Sequence, residues 1–124
     1  MASYRDLAVW EKAMDLVVDC YKLSKKFPKS EIFGLCNQLQ RAAVSVPANI
    51  AEGRERQSPG AFAQYLSISY GSLAELETHL QIAQRLGYFM ENELDRFLQK
   101  TSEVGKMING LRKAVISRQK KADN

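Results

Sequence analysis

RAAVSVPANIAEGRER, residues Arg41 to Arg56, carries a helix-like apolar rhythm while being loaded with polar and helix-breaking residues. Arg41, Ser45, Asn49 and Glu52 follow one another at spacings of four, four and three, which aligns them along one helical face. Pro47 falls in the middle of the stretch. An interior proline removes a backbone hydrogen bond and costs roughly 3 kcal/mol unless the helix bends around it. The stretch therefore reads as a specialised part of an otherwise regular helical chain.

The same rhythm extends in both directions. Upstream, Ile32, Leu35, Leu39, Ala42 and Val46 form an apolar seam, with Ser30 as an N-cap and Glu31 in the first turn. Gly53 suits the end of this helix. The segment before it places Leu7, Trp10, Met14, Val17 and Tyr21 on one seam, with Leu16, Cys20, Leu23 and Phe27 beside it, until Phe27-Pro28 stops the helix. Downstream, Ser58-Pro59 is a restart signal, a serine cap followed by proline at the first helical position. Phe62, Leu66, Ser69, Leu73, Leu76, Leu80 and Ala83 then repeat at four and three, and Gly87 supplies a stop. The last seam is Leu94, Phe97, Thr101, Val104, Ile108, Leu111 and Val115.

No strand-like alternation, repeat or low-complexity linker interrupts these patterns. The fold class is all-α, an antiparallel up-down-up-down four-helix bundle, because long helices joined by short connections pack against their sequence neighbours. Residues 1–124 make a single domain, with helices at about 6–27, 31–53, 59–86 and 91–117 and a basic tail at 118–124. At 14.0 kDa such a chain can bury a core without metal or disulfide staples.

Hydrophobic residues at 45% and charged residues at 26% are ordinary soluble values, and no apolar run approaches the roughly 18 residues that span a bilayer. The start, MASYRDLAVWEK, has no basic region followed by an apolar one, so the expected location is cytoplasmic, with no membrane partner. Cys20 and Cys36 lie eight residues either side of Pro28 and lack zinc-ligand spacing, so packed, reduced thiols are expected, with a redox pair as the alternative.

If helices two and three turn around residues 54–58, Arg41 falls near Ser72 or Glu75, Ser45 near Ser67 or Ser69, and Asn49 near Gln64 or Tyr65. Both facing surfaces are rich in small residues, so backbones can approach closely and polar side chains between them must pair or bind water. One reading makes Arg41, Ser45, Asn49, Glu52, Ser72 and Glu75 a structural polar network that fixes register. A second makes Glu52 and Glu75 paired carboxylates with Arg41 as an anion clamp. A third gives the stripe to contacts between subunits. The only histidine, His79, stands four residues from Glu75 and two from Glu77, without the two Glu-x-x-His motifs of a di-iron bundle. It is expected at the surface or a subunit contact. With no phosphate loop, no GxSxG and no supported Cys-His pairing, the chain is not expected to be an enzyme or to hold a cofactor or metal.

RDLAVWEKAM near the start, FP before the second helix, QLQRAAVSVPANIAEGRER, FAQYLSISYGSLAELETHL and LGY together resemble the four-helix-bundle family of 23S ribosomal RNA intervening-sequence proteins. The resemblance reaches to about Arg118, and SVPANIAEG combined with GSLAELET is its specific part. Arg41, Asn49, Glu52, Gly53 and Glu75 are the motif positions it marks, and it assigns them no catalysis. It implies an up-down bundle. Related accessory proteins of diversity-generating retroelements imply a ring of five such bundles with basic surfaces that contact nucleic acid. The ribosomal RNA in the family's name concerns where founding genes lie.

Net charge is +4 and the isoelectric point is near 9.1. In an up-down bundle the N-terminus, the second connection and the C-terminus share one end. That end collects Arg5, Arg54, Arg56, Arg112, Lys113, Arg118, Lys120 and Lys121 against Asp6, Glu52, Glu55 and Asp123, so eight cations face four carboxylates and leave +4 there. The eight are candidate nucleic-acid contacts, by backbone phosphates rather than base edges. A second group, Lys22, Lys25, Lys26 and Lys29, lies at the opposite end beside the acidic start of helix four. The expected function is a non-enzymatic, homo-oligomeric binding protein, a pentamer by resemblance, serving RNA or DNA. The alternatives are a protein-interaction scaffold or an enzyme using Arg41, Glu52 and Glu75. Val9, Leu16, Val18, Leu23, Ile68, Tyr70, Ile82 and Phe89 are apolar residues expected to supply surplus surface for assembly.

Overall fold

Four helices fill nearly all of residues 3–123, the part that this computed structural model describes: α1 (Ala8–Ser24), α2 (Leu35–Glu55), α3 (Pro59–Arg85) and α4 (Glu91–Asp123). A 3-10 turn at Tyr4–Asp6 precedes them, held by a capping box in which Ser3 Oγ accepts from the Arg5 amide and Asp6 accepts from the Ser3 amide. Each helix packs on its neighbours in sequence and α4 closes back on α1, with no close diagonal approach among the described residues. This is the four-helix bundle that the apolar seams predict.

The seams of α3 and α4 are the core almost residue for residue. Leu66, Leu76, Leu80 and Ile108 are fully buried with Leu16, Leu39 and Ile50, each contributing about 1.5–3 kcal/mol of burial. On α1 the helix is rotated from the expected seam. Val9, Ala13, Leu16, Cys20 and Leu23 face inward, while Met14 and Tyr21 are exposed. The cause is that α1 packs against both α2 and α4, which makes the second stripe its centre line. Val9, Leu16, Leu23 and Phe89 therefore belong to the core and are not surplus surface, whereas Val18, Ile68, Tyr70 and Ile82 are exposed.

The helix ends also correct the reading. Ser30 does not cap α2. A 3-10 turn at Lys29–Glu31 intervenes, leaving Ile32 exposed, and the carboxylate of Glu31 accepts from the Leu35 amide at 3.2 Å. Glu31 also accepts from the Tyr88 hydroxyl at 2.7 Å, tying the first connection to the third. Its pKa is held below the ordinary value, first by Tyr88 and then by the Leu35 amide. Gly53 does not end α2, which runs on to Glu55, and the left-handed residue of that turn is Gln57. Ser58 and Pro59 start α3 as expected, the serine accepting from the Ala61 amide. Gly87, at φ +82°, closes α3 in a Schellman turn, with Gly87 N–H on the Gln84 carbonyl and Tyr88 N–H on that of Ala83. The basic tail is not a tail. The helix α4 continues to Asp123, and only Asn124 of the tail lies outside the described residues.

Candidate functional site

Gly53 governs how α2 meets α3. A Cβ there would stand 2.5 Å from Cβ of Tyr65 and 3.2 Å from Cδ1 of Phe62, so the two helices touch backbone to side-chain root. Because α2 continues past Gly53, the register shifts from the expected one. Ser45 meets Ser72, with Oγ atoms 2.8 Å apart, and Ser69, fully buried, donates to the Val46 carbonyl at 2.8 Å. Asn49 donates from its side chain back to both the carbonyl and the hydroxyl of Ser45. These bonds flank Pro47, which is buried inside an unbroken α2. Small side chains let the helices close in, and the one buried hydroxyl among these, that of Ser69, then finds a carbonyl across the seam.

The polar stripe does not act as one network. Ser45, Asn49 and Ser72 come together, but Glu52 turns to the start of α3. There the Tyr65 hydroxyl bonds to the Glu52 carboxylate and accepts from Arg56 Nη2 at 2.9 Å, while Arg56 also lies 3.1 Å from Glu52. Glu52 is held below the usual carboxylate range, by Tyr65 first and Arg56 second. Arg41 is exposed and makes no hydrogen bond or ion pair among the described residues, so the expected contact with Glu75 is not formed. Glu75 instead approaches His79 Nε2 at 3.5 Å. Nor are the two glutamates a carboxylate pair. Tyr65, the partner of Glu52, precedes Glu75 by ten residues on α3, about 15 Å along the helix.

His79 is buried rather than superficial, and neither ring nitrogen has a hydrogen-bond partner. Its place beside the α3 seam gave no hint of this, because a histidine one position off a seam is half in and half out by periodicity alone. Cys20 and Cys36 are both free thiols. Burial, then Asp19, pushes the Cys20 thiol up to about 12, and Cys36 Sγ lies 3.8 Å from the Ser24 carbonyl.

At the other end of α2 two of the eight candidate cations, Arg54 and Arg118, line a cleft of about 610 Å³. Leu7, Phe62, Leu111 and Val115 supply its apolar lining, and Arg54 and Arg118 reach it from α2 and α4. It opens because α1 starts only at Ala8, while α4 runs on until Gln119 lies against Gly60. Lys120 and Lys121 occupy the last turn of α4, where cations complement the negative end of the helix dipole. Lys113 is exposed, Arg112 is half-buried with an unpartnered Nε, and Arg5 stacks on Tyr4 at 4.6 Å. Arg56 is held by both Glu52 and Tyr65. The cleft was missed in the sequence, where its signal is that the seams of the third and fourth helices keep Phe62, Leu111 and Val115 at the end where the first helix has not yet begun. At the opposite end, Lys26 pairs with Glu93 at 2.6 Å.

Residues 5–110 match the model of the 23S rRNA-intervening sequence protein family. The chain belongs to that family. The match takes in the α2–α3 pair with Pro47 and Gly53, and it ends before the last turns of α4. A crystal structure of a protein of unknown function of the S23 ribosomal protein family, from Bacteroides thetaiotaomicron VPI-5482, is similar in fold. Its TM-score is 0.78 at 24% identity, over 85% of this chain and 95% of that one. No curated protein matches the chain.

Proposed function

We propose that this protein is a non-enzymatic, oligomeric nucleic-acid accessory protein of the cytoplasm, which holds RNA or DNA by its phosphates at the basic end of the bundle. The observation that carries this reading is that Arg54 of α2 and Arg118 of α4 line one cleft, at the end of the bundle to which the chain order also assigns Arg5 and the last turns of α4 with Lys120 and Lys121. At the other end Lys26 is paired with Glu93 at 2.6 Å, beside the acidic start of α4. The polar stripe supports a structural role: Ser45, Asn49 and Ser72 bond to one another, Glu52 fastens the α2–α3 turn, and none of them lines the basic cleft.

Assembly would multiply the field of that end, and a homopentamer is the form that the family resemblance suggests. Exposed Met14, Val18 and Tyr21 on α1 and Ile68 and Ile82 on α3 are the apolar surface available for it. A protein scaffold is the second reading, favoured by Phe33, which is 93% exposed, with Leu86 and Met90 at the end away from the arginines.

Retention on RNA, on DNA and on a non-nucleic polyanion separates the two. Charge reversal at Arg54, Arg118, Lys120 and Lys121 should weaken binding to all nucleic-acid sequences alike, whereas reversal at Lys25, Lys26 and Lys29 should matter less. Binding that ignores the first set and follows the second would place the interface at the wrong end.

A further inference from the structure

A track for phosphates needs only charge, yet the basic end also carries a cavity. Its volume of about 610 Å³ falls within the roughly 300–1,000 Å³ of sites that enclose small molecules. Its apolar lining is Val115, buried, with Leu7, Phe62 and Leu111 half-buried and Pro59 exposed, and Phe62 is the one aromatic residue among those lining it. Arg54 and Arg118 stand at the same opening. The chemistry that matches such a place is a flat, weakly polar body attached to a negatively charged chain. We propose that the cleft receives one unstacked base of a single-stranded nucleic acid, lying against Phe62, while the adjoining phosphates meet the arginines.

The inference rests on the nucleic-acid reading above and narrows it. Bases in a duplex are stacked and paired inside, so a duplex offers this end its phosphates alone and leaves the cleft unused. A single strand offers both. Stacking on an aromatic side chain tolerates every base, because each has a π-face, so the preference is for single strands and not for a sequence. The exposed Gln57 and Ser58 at the opening can bond to whichever base edge faces them.

The test uses fluorescence anisotropy with a short single-stranded RNA, a duplex with the same phosphate count, and an abasic strand that keeps the sugar-phosphate chain without bases. The wild-type protein should hold the base-bearing strand about 5- to 150-fold more tightly than the abasic one, the range expected of one stacked base. Phe62→Leu, which keeps apolar volume and removes the ring, should shrink that ratio and leave the abasic affinity unchanged. Equal affinity of the wild type for strands with and without bases overturns the base site while leaving the phosphate reading standing. A ratio that Phe62→Leu does not alter removes the site from this cleft. Failure to bind any of the three probes overturns both the base site and the reading beneath it.

Discussion

Replacing Gly53 by alanine adds one methyl group at the tightest point between α2 and α3. That carbon would lie 2.5 Å from Tyr65 Cβ, where carbon atoms prefer about 3.5–4.0 Å, so α3 has to retreat by about 1 Å. Neither atom is the end of a flexible side chain, and rotation cannot relieve the overlap. Overpacking of this kind costs roughly 1–3 kcal/mol, against which alanine returns about 0.8–1 kcal/mol of helix propensity. Moving Tyr65 also loosens its bonds to Glu52 and Arg56. A net loss of about 1–2 kcal/mol follows, or about 5 °C in melting temperature for a chain of this size. Gly71 is the control. It lies in the middle of α3 with nothing within 4 Å of an added Cβ, so Gly71→Ala should stabilise by about 0.5–1 kcal/mol. Urea and thermal unfolding followed by circular dichroism, at one protein concentration, measure both. A Gly53→Ala variant as stable as the wild type would refute the close approach on which the register rests.

Acid stability should depend on the clasp between the first and third connections. Glu31 is held below its ordinary value of 4.5, so its stabilisation is complete above that pH and is lost as pH falls through the lowered folded value. Glu31→Gln should flatten the acid branch of the stability curve, and an unchanged branch would mean that the bond to Tyr88 contributes nothing. Thiol reactivity should divide the cysteines: burial keeps Cys20 protonated and shielded, so in native protein a disulfide reagent should modify Cys36 and reach Cys20 only on unfolding. Two equally fast native thiols would contradict the packing of α1. Light scattering coupled to size exclusion should give a mass several times 14.0 kDa, and charged substitutions at Met14 and Val18 should lower it. A monomer at every concentration would remove the oligomer.

The bundle was legible because helical periodicity is strong over long segments, and α3 and α4 bury nearly the side chains their seams specify. The α1 seam misled because two apolar stripes lie side by side on it, and only the packing of α2 and α4 decides which is central. Glycine as a stop signal held at Gly87, where φ is positive. It failed at Gly53, which is needed for close approach and remains helical. Arg41 and Glu75 looked like partners because register brings their levels together, but both side chains are exposed, and Glu75 approaches His79 on its own helix instead. Which connections share an end of the bundle was legible, since the up-down order alone assigns them. The cleft was not, because it arises from the unequal lengths of α1 and α4.

The dependence of nucleic-acid affinity on salt tests the central claim most directly. Each phosphate neutralised at the basic end should contribute about 0.7 to 0.9 to the slope of log K against log salt. The wild-type protein should show a steep slope, and reversal of Arg54, Arg118, Lys120 and Lys121 should flatten it, whereas reversal of Lys25, Lys26 and Lys29 should leave it nearly unchanged. Absence of salt-sensitive binding to RNA or DNA at about 50 mM salt, where counterion release favours it most, would contradict the account and leave the protein scaffold in its place.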